Sequence, residues 1–312
     1  MPESLVIATR ESPLALWQAE HVQSLLQNQY PQTDVRLMGL TTKGDQILDK
    51  TLSKIGGKGL FVKELEVAMR EKRAQLAVHS LKDVPMELPE DFVLAAVSSR
   101  EDPRDAFVSP RYESLESMPE GSVVGTASLR RELMLRARFP HLVVKTVRGN
   151  VGTRLRKLDS GEYDALIMAS AGLKRLGLAE RIREILSDEI SLPSPGQGAL
   201  GIECLKHDRQ TQEAVAFIND PVTRACTGAE RSVSRALGGS CQVPLAAYAT
   251  VADGLMRLRA LVGDHTTGEM VCTEVRGPWT EYESLAAEAV ENLLAQGAKH
   301  YIDKLLCVSE EK

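Results

Sequence analysis

Short, unbroken apolar runs recur along this chain, and most are followed by a polar turn and a stretch of helical period. Leu5-Val6-Ile7-Ala8 is the first, read as a strand buried on both faces. Thr9-Arg10-Glu11-Ser12-Pro13 ends it. Ser12 can cap a helix with Pro13 at its first position, and Leu14, Leu16, Trp17, Val22, Leu25 and Leu26 continue that helix. Residues 35–40 predict a second strand and 60–70 an amphipathic helix. Leu76-Ala77-Val78 predicts a third strand, running into His79-Ser80-Leu81-Lys82-Asp83-Val84-Pro85, where Pro85 halts regular structure.

Strands are expected at 92–97 and 106–108, on either side of the charged stretch 100–105, which is read as a crossing between domains. The rhythm then repeats, with strands at 122–125, 142–147 and 165–168 and helices near 128–138, 151–160 and 171–177. Such alternation predicts parallel sheets in an α/β fold. Residues 191–198, dense in Pro and Gly, read as a second crossing, and two linkers together form a double hinge able to close over a cleft. Helices near 208–218 and 221–236 follow. Runs at 245–251, 255–262 and 270–276, parted by Asp253-Gly254 and by 263–268, predict an antiparallel meander, closed by helices from 281 to 306.

Composition narrows the class. With 312 residues the chain can build two or three cores, and 43% hydrophobic and 26% charged residues suit a soluble globular protein. No apolar run reaches the roughly 18 residues of a membrane span, and Met1-Pro2-Glu3-Ser4 does not open a secretory signal, so a cytoplasmic protein without a membrane partner is expected. The cysteines at 204, 226, 241, 272 and 307 are odd in number and irregularly spaced, without a CxxC or a nearby His pair, which argues against a disulfide framework and a metal site. Cys204, after an apolar run, reads as a buried strand residue.

Net charge is −5, yet from Arg130 to Arg183 thirteen Lys/Arg stand against five Asp/Glu, a balance of +8 that leaves −13 for the remainder. A segregated basic face implies an anionic ligand. Phe139 and Tyr163 are the segment's aromatics, too few for stacking on single-stranded nucleic acid, so nucleic acid is not the expected partner. Arg130 and Arg131, Arg148, Arg154 and Arg175 instead fall at strand ends or helix starts, where guanidinium forks converge on compact carboxylates or phosphates. Gly56-Gly57-Lys58-Gly59, closing a polar segment that begins at Thr41, lacks the GK[ST] ending of a nucleotide loop and reads as a mobile lid.

Leu237-Gly238-Gly239-Ser240-Cys241-Gln242-Val243-Pro244 sets one thiol on a glycine-rich turn, open to close approach. From the residues alone it is either an inert loop thiol or an attachment point. Lys82 and Asp83 read first as a solvated pair, and His79 as a hydrogen-bonded core histidine.

Several long motifs then fall in order: Thr9-Arg10-Glu11-Ser12-Pro13-Leu14-Ala15, 56–62, the stretch from His79 to Pro85, Glu101-Asp102-Pro103-Arg104-Asp105-Ala106-Phe107, Ser128-Leu129-Arg130-Arg131, Arg148-Gly149-Asn150-Val151-Gly152-Thr153-Arg154, and 239–244. Together they closely resemble the porphobilinogen deaminase (hydroxymethylbilane synthase) family. The resemblance implies two α/β domains like type II periplasmic-binding proteins, 1–99 with 199–218 and 104–193. It also implies a third, small α+β domain at 221–312 with a three-stranded antiparallel sheet. It implies a transferase of tetrapyrrole and haem biosynthesis, joining four porphobilinogen molecules head to tail with loss of ammonia and then hydrolysing off hydroxymethylbilane. A dipyrromethane cofactor would be held by a thioether to Cys241, without a metal.

By the same correspondence Asp83 is the catalytic residue, its carboxylate stabilising the positive charge left as ammonia departs. Ser80, Lys82, Asp83, Thr126, Ser128, Arg130, Arg131, Arg148 and Arg154 hold cofactor and growing chain. Arg10, Ser12, Arg148, Arg154 and Arg175 meet substrate, and Lys54, Lys58 and Phe61 belong to the lid. Each pyrrole ring carries an acetate and a propionate, which accounts for the arginines. A monomer is expected, with transient contact to the next enzyme of the pathway. Ser240 and Ala127 depart from the family pattern, which usually has Gly and Ser there. Two rival readings stand beside this one: a non-enzymatic anion-binding or sensor protein that leaves Cys241 idle, and a cysteine hydrolase, for which no His is placed by motif to activate the thiol.

Overall fold

The computed structural model describes residues 3–42, 62–238 and 243–310. They fall into two compact units, one taking the chain up to Glu101 together with Gly198–Arg224, the other Asp102–Gln197 and the chain from Ala225 onward. Lys54, Lys58, Phe61 and Cys241, with the rest of 43–61 and 239–242, lie outside the described residues.

In the first unit the chain lays down β1 (Ser4–Arg10), β2 (Asp34–Leu40), β3 (Leu76–Ser80) and β4 (Phe92–Val97). The second unit holds β5 (Asp105–Val108), β6 (Val123–Gly125), β7 (Val143–Lys145), β8 (Ala165–Ala169) and β9 (Glu184–Ile185). The chain returns to the first unit for β10 (Leu200–Leu205), then ends with β11 (Leu245–Ala252), β12 (Leu255–Gly263) and β13 (Met270–Pro278).

The first sheet has the order β2-β1-β3-β10-β4, with β1 parallel to β2 and β3, and β10 antiparallel to both its neighbours. The second repeats the plan as β7-β6-β8-β5-β9, with β6 parallel to β7 and β8, and β5 antiparallel to β8 and β9. In each, the reversed strand is the one that follows a change of unit along the chain. This is a doubly wound α/β plan, with one correction to the parallel sheets expected from the sequence. Parallel pairing needs a crossover, usually a helix, from one strand back to the next. A strand entering without one is free to pair in the opposite sense.

Helices cover both faces of these sheets, which is why the strands read as continuous apolar runs. Leu5, Ile7 and Leu76 pack with Ala19, Val22 and Leu26 of the helix Pro13–Gln29. In the second unit Phe107, Val124 and Ile167 lie against Leu135 and Phe139, while Val108, Leu166 and Met168 lie against Leu155 and Leu158. The antiparallel sheet β11-β12-β13 is the predicted meander. Its first hairpin turns on Asp253 and Gly254, both with positive φ (51° and 77°), the conformation that a two-residue hairpin of matching twist requires. Met256 and Leu258 pack on Ala229 and Val233 of the helix Pro221–Ala236 and on Leu285, Ala289 and Leu293 of Tyr282–Ala295. Ala246 and Leu261 pack with Leu133 and Met134, so this sheet also braces the helix Leu129–Arg138. Cys204 is the buried strand residue expected, and burial pushes its thiol up to about 12, which leaves it inert.

Asp102 opens the second unit. Arg104 donates to it through Nε and Nη2 at 2.9 Å each, and Lys174 Nζ through a 3.3 Å contact. The Arg104 hydrogen bonds are the main reason its carboxyl falls from 3.8 to about 2. A carboxyl depressed on folding adds stability that is full above its unfolded pKa and is lost as pH falls through the folded one. Asp102→Asn is therefore expected to lower the denaturation midpoint near neutral pH. The gap to wild type should narrow from 3.8 toward about 2 and close below that. A gap that persists in stronger acid would assign the residue's contribution to packing instead of charge.

Candidate active site

Carboxyl ends of parallel strands are where doubly wound sheets present ligand groups, and in both units the candidate residues sit there. β1 ends on Arg10, and Ser12 caps the following helix, its Oγ accepting from Ala15 N at 3.4 Å. Ser80 ends β3, and a single 3-10 turn, Leu81–Asp83, carries Lys82 half-buried and Asp83 exposed. Gln18 Nε2 donates to Ser80 Oγ at 2.8 Å, tying the helix to the strand end. Arg10, Ser12, Gln18, His79, Ser80 and Asp83 line a common cavity of about 60 Å³. His79 is the hydrogen-bonded core histidine expected, its Nε2 lying 2.8 Å from Oε2 of the fully buried Glu203.

The second cluster belongs to the other unit. Gly125 ends β6 where a Cβ would fall 2.5 Å from Leu166 Cδ2, so the strand end packs too closely for a side chain. Thr126 is buried and its Oγ1 accepts from Ser128 N at 3.2 Å, while Ser128 caps the helix Leu129–Arg138 by accepting from Arg131 N at 3.4 Å. Ala127 is exposed between them. Arg148 is half-buried beyond β7, and Asn150 caps the helix Val151–Asp159 through Thr153 N at 2.9 Å. Arg154 Nε donates back to Gly149 O at 2.8 Å, and Arg175, half-buried, ends the helix Ser170–Arg175.

Much of the positive charge counted along 130–183 is answered locally. Arg136 pairs with Glu132 at 2.8 Å, Arg181 with Asp159 at 2.6 Å and Lys174 with Asp102. Arg130 and Arg131 are buried and converge on Asp105, through Nη2 at 2.8 and 2.7 Å. Ser191 Oγ and Gln197 Nε2 donate to the same carboxylate at 2.6 and 2.8 Å. Burial alone would push Asp105 up, but the two guanidiniums outweigh it and hold the carboxyl well below the usual range. Asp105, Ser191, Gln197 and Gln18 were not among the candidates. The available signal was a lone acid heading the apolar run Asp105-Ala106-Phe107-Val108, a position that burial makes costly without cationic partners.

Residues 5–213 match the family model described as porphobilinogen deaminase, dipyromethane cofactor binding domain, and 224–295 the model of its C-terminal domain. The chain belongs to the porphobilinogen deaminase family. Two similar relatives are porphobilinogen deaminases of Chromobacterium violaceum and of Neisseria meningitidis serogroup A. The first is 60% identical over 306 residues, covering 97% of this chain and 98% of that protein. The second is 59% identical over 306 residues, covering 98% of each. Among solved structures the methionine-binding protein MetQ is similar at 13% identity and TM-score 0.46, covering 70% of this chain and 90% of its own, too slight a likeness to bear on ligand or mechanism. Membership in an enzyme family over nearly the whole chain favours the deaminase over the anion-carrying alternative.

A dipyrromethane built from two porphobilinogen units carries an acetate and a propionate on each ring, and the second cluster fits such a group. Nε of Arg130 and of Arg131 is buried without an acceptor among the described residues, an N–H pair left over after Asp105 and the backbone are served. Among the described residues no group of three or more His, Cys, Asp and Glu is placed to hold a metal ion, and no helix is long and apolar enough to cross a membrane.

Gly149 forms the turn between Arg148 and the helix that carries Arg154. Its φ is +110°, and a Cβ there would lie 2.6 Å from Thr153 Cγ2, on a β-branched side chain that is stiff in a helix. Gly149→Ala is expected to cost about 1–3 kcal/mol of stability and to lower the fraction of protein carrying cofactor, read by intact mass. Adding Thr153→Ala should recover part of the loss, because it relieves the clash but not the backbone strain. Full occupancy in the single variant would show that the turn does not set Arg148 and Arg154.

Proposed function

We propose that this chain condenses four porphobilinogen molecules head to tail, releasing one ammonia for each, and then hydrolyses off the linear tetrapyrrole hydroxymethylbilane. The family match over nearly the full chain carries the reading. The cavity uniting Arg10, Ser12, Ser80 and Asp83 supports the residue roles. Three domains divided near 99–104, 193–199 and 218–221 belong to the same proposal.

Bound by a thioether to Cys241, dipyrromethane would supply the nucleophilic pyrrole end to which units are added. Thr126, Ser128, Arg130, Arg131, Arg148 and Arg154, with Ser80 and Lys82, would hold its carboxylates and those of the growing chain. Arg10, Ser12, Arg148, Arg154 and Arg175 would take the acetate and propionate of incoming substrate. Each charged hydrogen bond of this kind is worth about 1.5–3 kcal/mol where solvent is excluded.

Asp83 is assigned the reacting ring. When ammonia leaves porphobilinogen, positive charge spreads over the pyrrole and its methylene. A carboxylate accepting from the ring N–H stabilises that charge where it develops. At about 4 Å and an effective dielectric near 20 the attraction is on the order of 4 kcal/mol, or roughly a thousandfold in rate.

Purified protein mixed with porphobilinogen should release ammonia and a linear tetrapyrrole. Failure to form either product would end the proposal. Asp83→Asn should keep the fold and the cofactor yet lose about a thousandfold in kcat; a loss below tenfold would remove Asp83 from the central role. Cys241→Ser should abolish a mass increment of two substrate units less two ammonia, and an increment surviving in that variant would place the attachment elsewhere.

A further inference from the structure

We infer that Asp105 is the positioning group for the Arg130–Arg131 pair, gripping both guanidiniums so that one positive charge and two N–H groups are left for an anionic ligand. The inference rests on the reading that these arginines hold the cofactor's carboxylates.

Asp105 is fully buried and enclosed by four donors, so it is not itself placed to meet a ligand. Each guanidinium is held at two corners. Arg130 donates through Nη2 to Asp105 and through Nη1 to Leu192 O at 2.5 Å, and Arg131 through Nη2 to Asp105 and through Nη1 to Ile167 O at 3.0 Å. On each, Nε is buried and has no acceptor among the described residues. A pairing that served stability alone would match one cation with one anion and leave no donor over, since an uncompensated buried charge is costly. Here two guanidiniums share one carboxylate, an imbalance that a ligand carboxylate would correct.

The same carboxylate, on the same two oxygens, also accepts from residues of the segment that leads to the change of unit. Ser191 and Gln197 donate to it, and Gln197 Nε2 also donates to Pro103 O at 2.6 Å. Asp105 thus joins the first turn of the helix Leu129–Arg138 to both chain segments that lead to and from the first unit, at Asp102 and at Gln197. Arg130 and Arg131 cannot swing independently of those segments.

The test uses full-length protein made without access to porphobilinogen, as wild type, Asp105→Asn and Ser191→Ala. Each is given porphobilinogen, and two quantities are read: the rate at which the two-unit adduct appears by intact mass, and the rise in Tm that the substrate produces. Wild type should gain the adduct and a higher Tm, as binding to the folded state requires. Asp105→Asn, folded by circular dichroism at the working temperature, should take up the adduct about tenfold more slowly or worse and lose most of the substrate-induced rise. Ser191→Ala, which leaves both ion pairs, should be slowed a few-fold.

A merely structural role for Asp105 would lower the starting Tm of Asp105→Asn but leave the substrate-induced rise and the adduct rate unchanged, and that result overturns the inference. Should Asp105→Asn not fold, an adduct rate in Ser191→Ala equal to wild type overturns it as well. A wild-type protein that gains no adduct sinks the proposed function, a different outcome from a wild type that loads beside variants that load equally.

Discussion

One buried carboxylate answers two buried guanidiniums in this protein, and the arrangement of its second unit follows from that constraint. Asp105 has no exposed surface, so its charge must be met from within. Arg130 and Arg131 meet it from the first turn of one helix, Ser191 and Gln197 from the segment that leads out of the unit. Moving any of these elements would strand a buried charge, which makes the geometry of the helix start a property of the whole unit and not of its local sequence.

Both sheets place their functional side chains by the same device. A parallel strand ends, a short turn carries a polar residue, and a capped helix begins. Ser12, Ser128 and Asn150 each accept from a backbone N–H three residues on, which fixes the turn that precedes the helix. Arg10 at the end of β1, Arg148 just before the Asn150 cap and the Arg130–Arg131 pair in the first helical turn are therefore set beside framed turns. The cavity beside β1 and β3 and the arginine cluster beyond β6, β7 and β8 are two instances of one architectural rule. They differ in the chemistry hung on it, an exposed acid at Asp83 in the first and paired cations in the second.

Local physics made much of this legible in advance. Unbroken apolar runs marked strands covered on both faces, Ser12-Pro13 marked a helix start, and Asp253-Gly254 marked a hairpin. All three depend on neighbours a few residues apart. The two-residue β9 and the reversed direction of β5 and β10 were not legible, because strand direction is set by where a strand enters its sheet and not by its own residues. The charge excess over 130–183 points to an anionic ligand but overstates the open positive charge, for a related reason. Counting charges along the chain cannot register that Asp105, outside the segment, neutralises part of it from across the fold.

Sequence alone determined most of the elements and the α/β class, through periodicity, and the family, through motifs contiguous in the chain. Which arginine is spent on a buried acid and which keeps an open donor was decided by tertiary structure. That outcome depends on the energy of a charge far from water, and burial is a property of distant segments brought together.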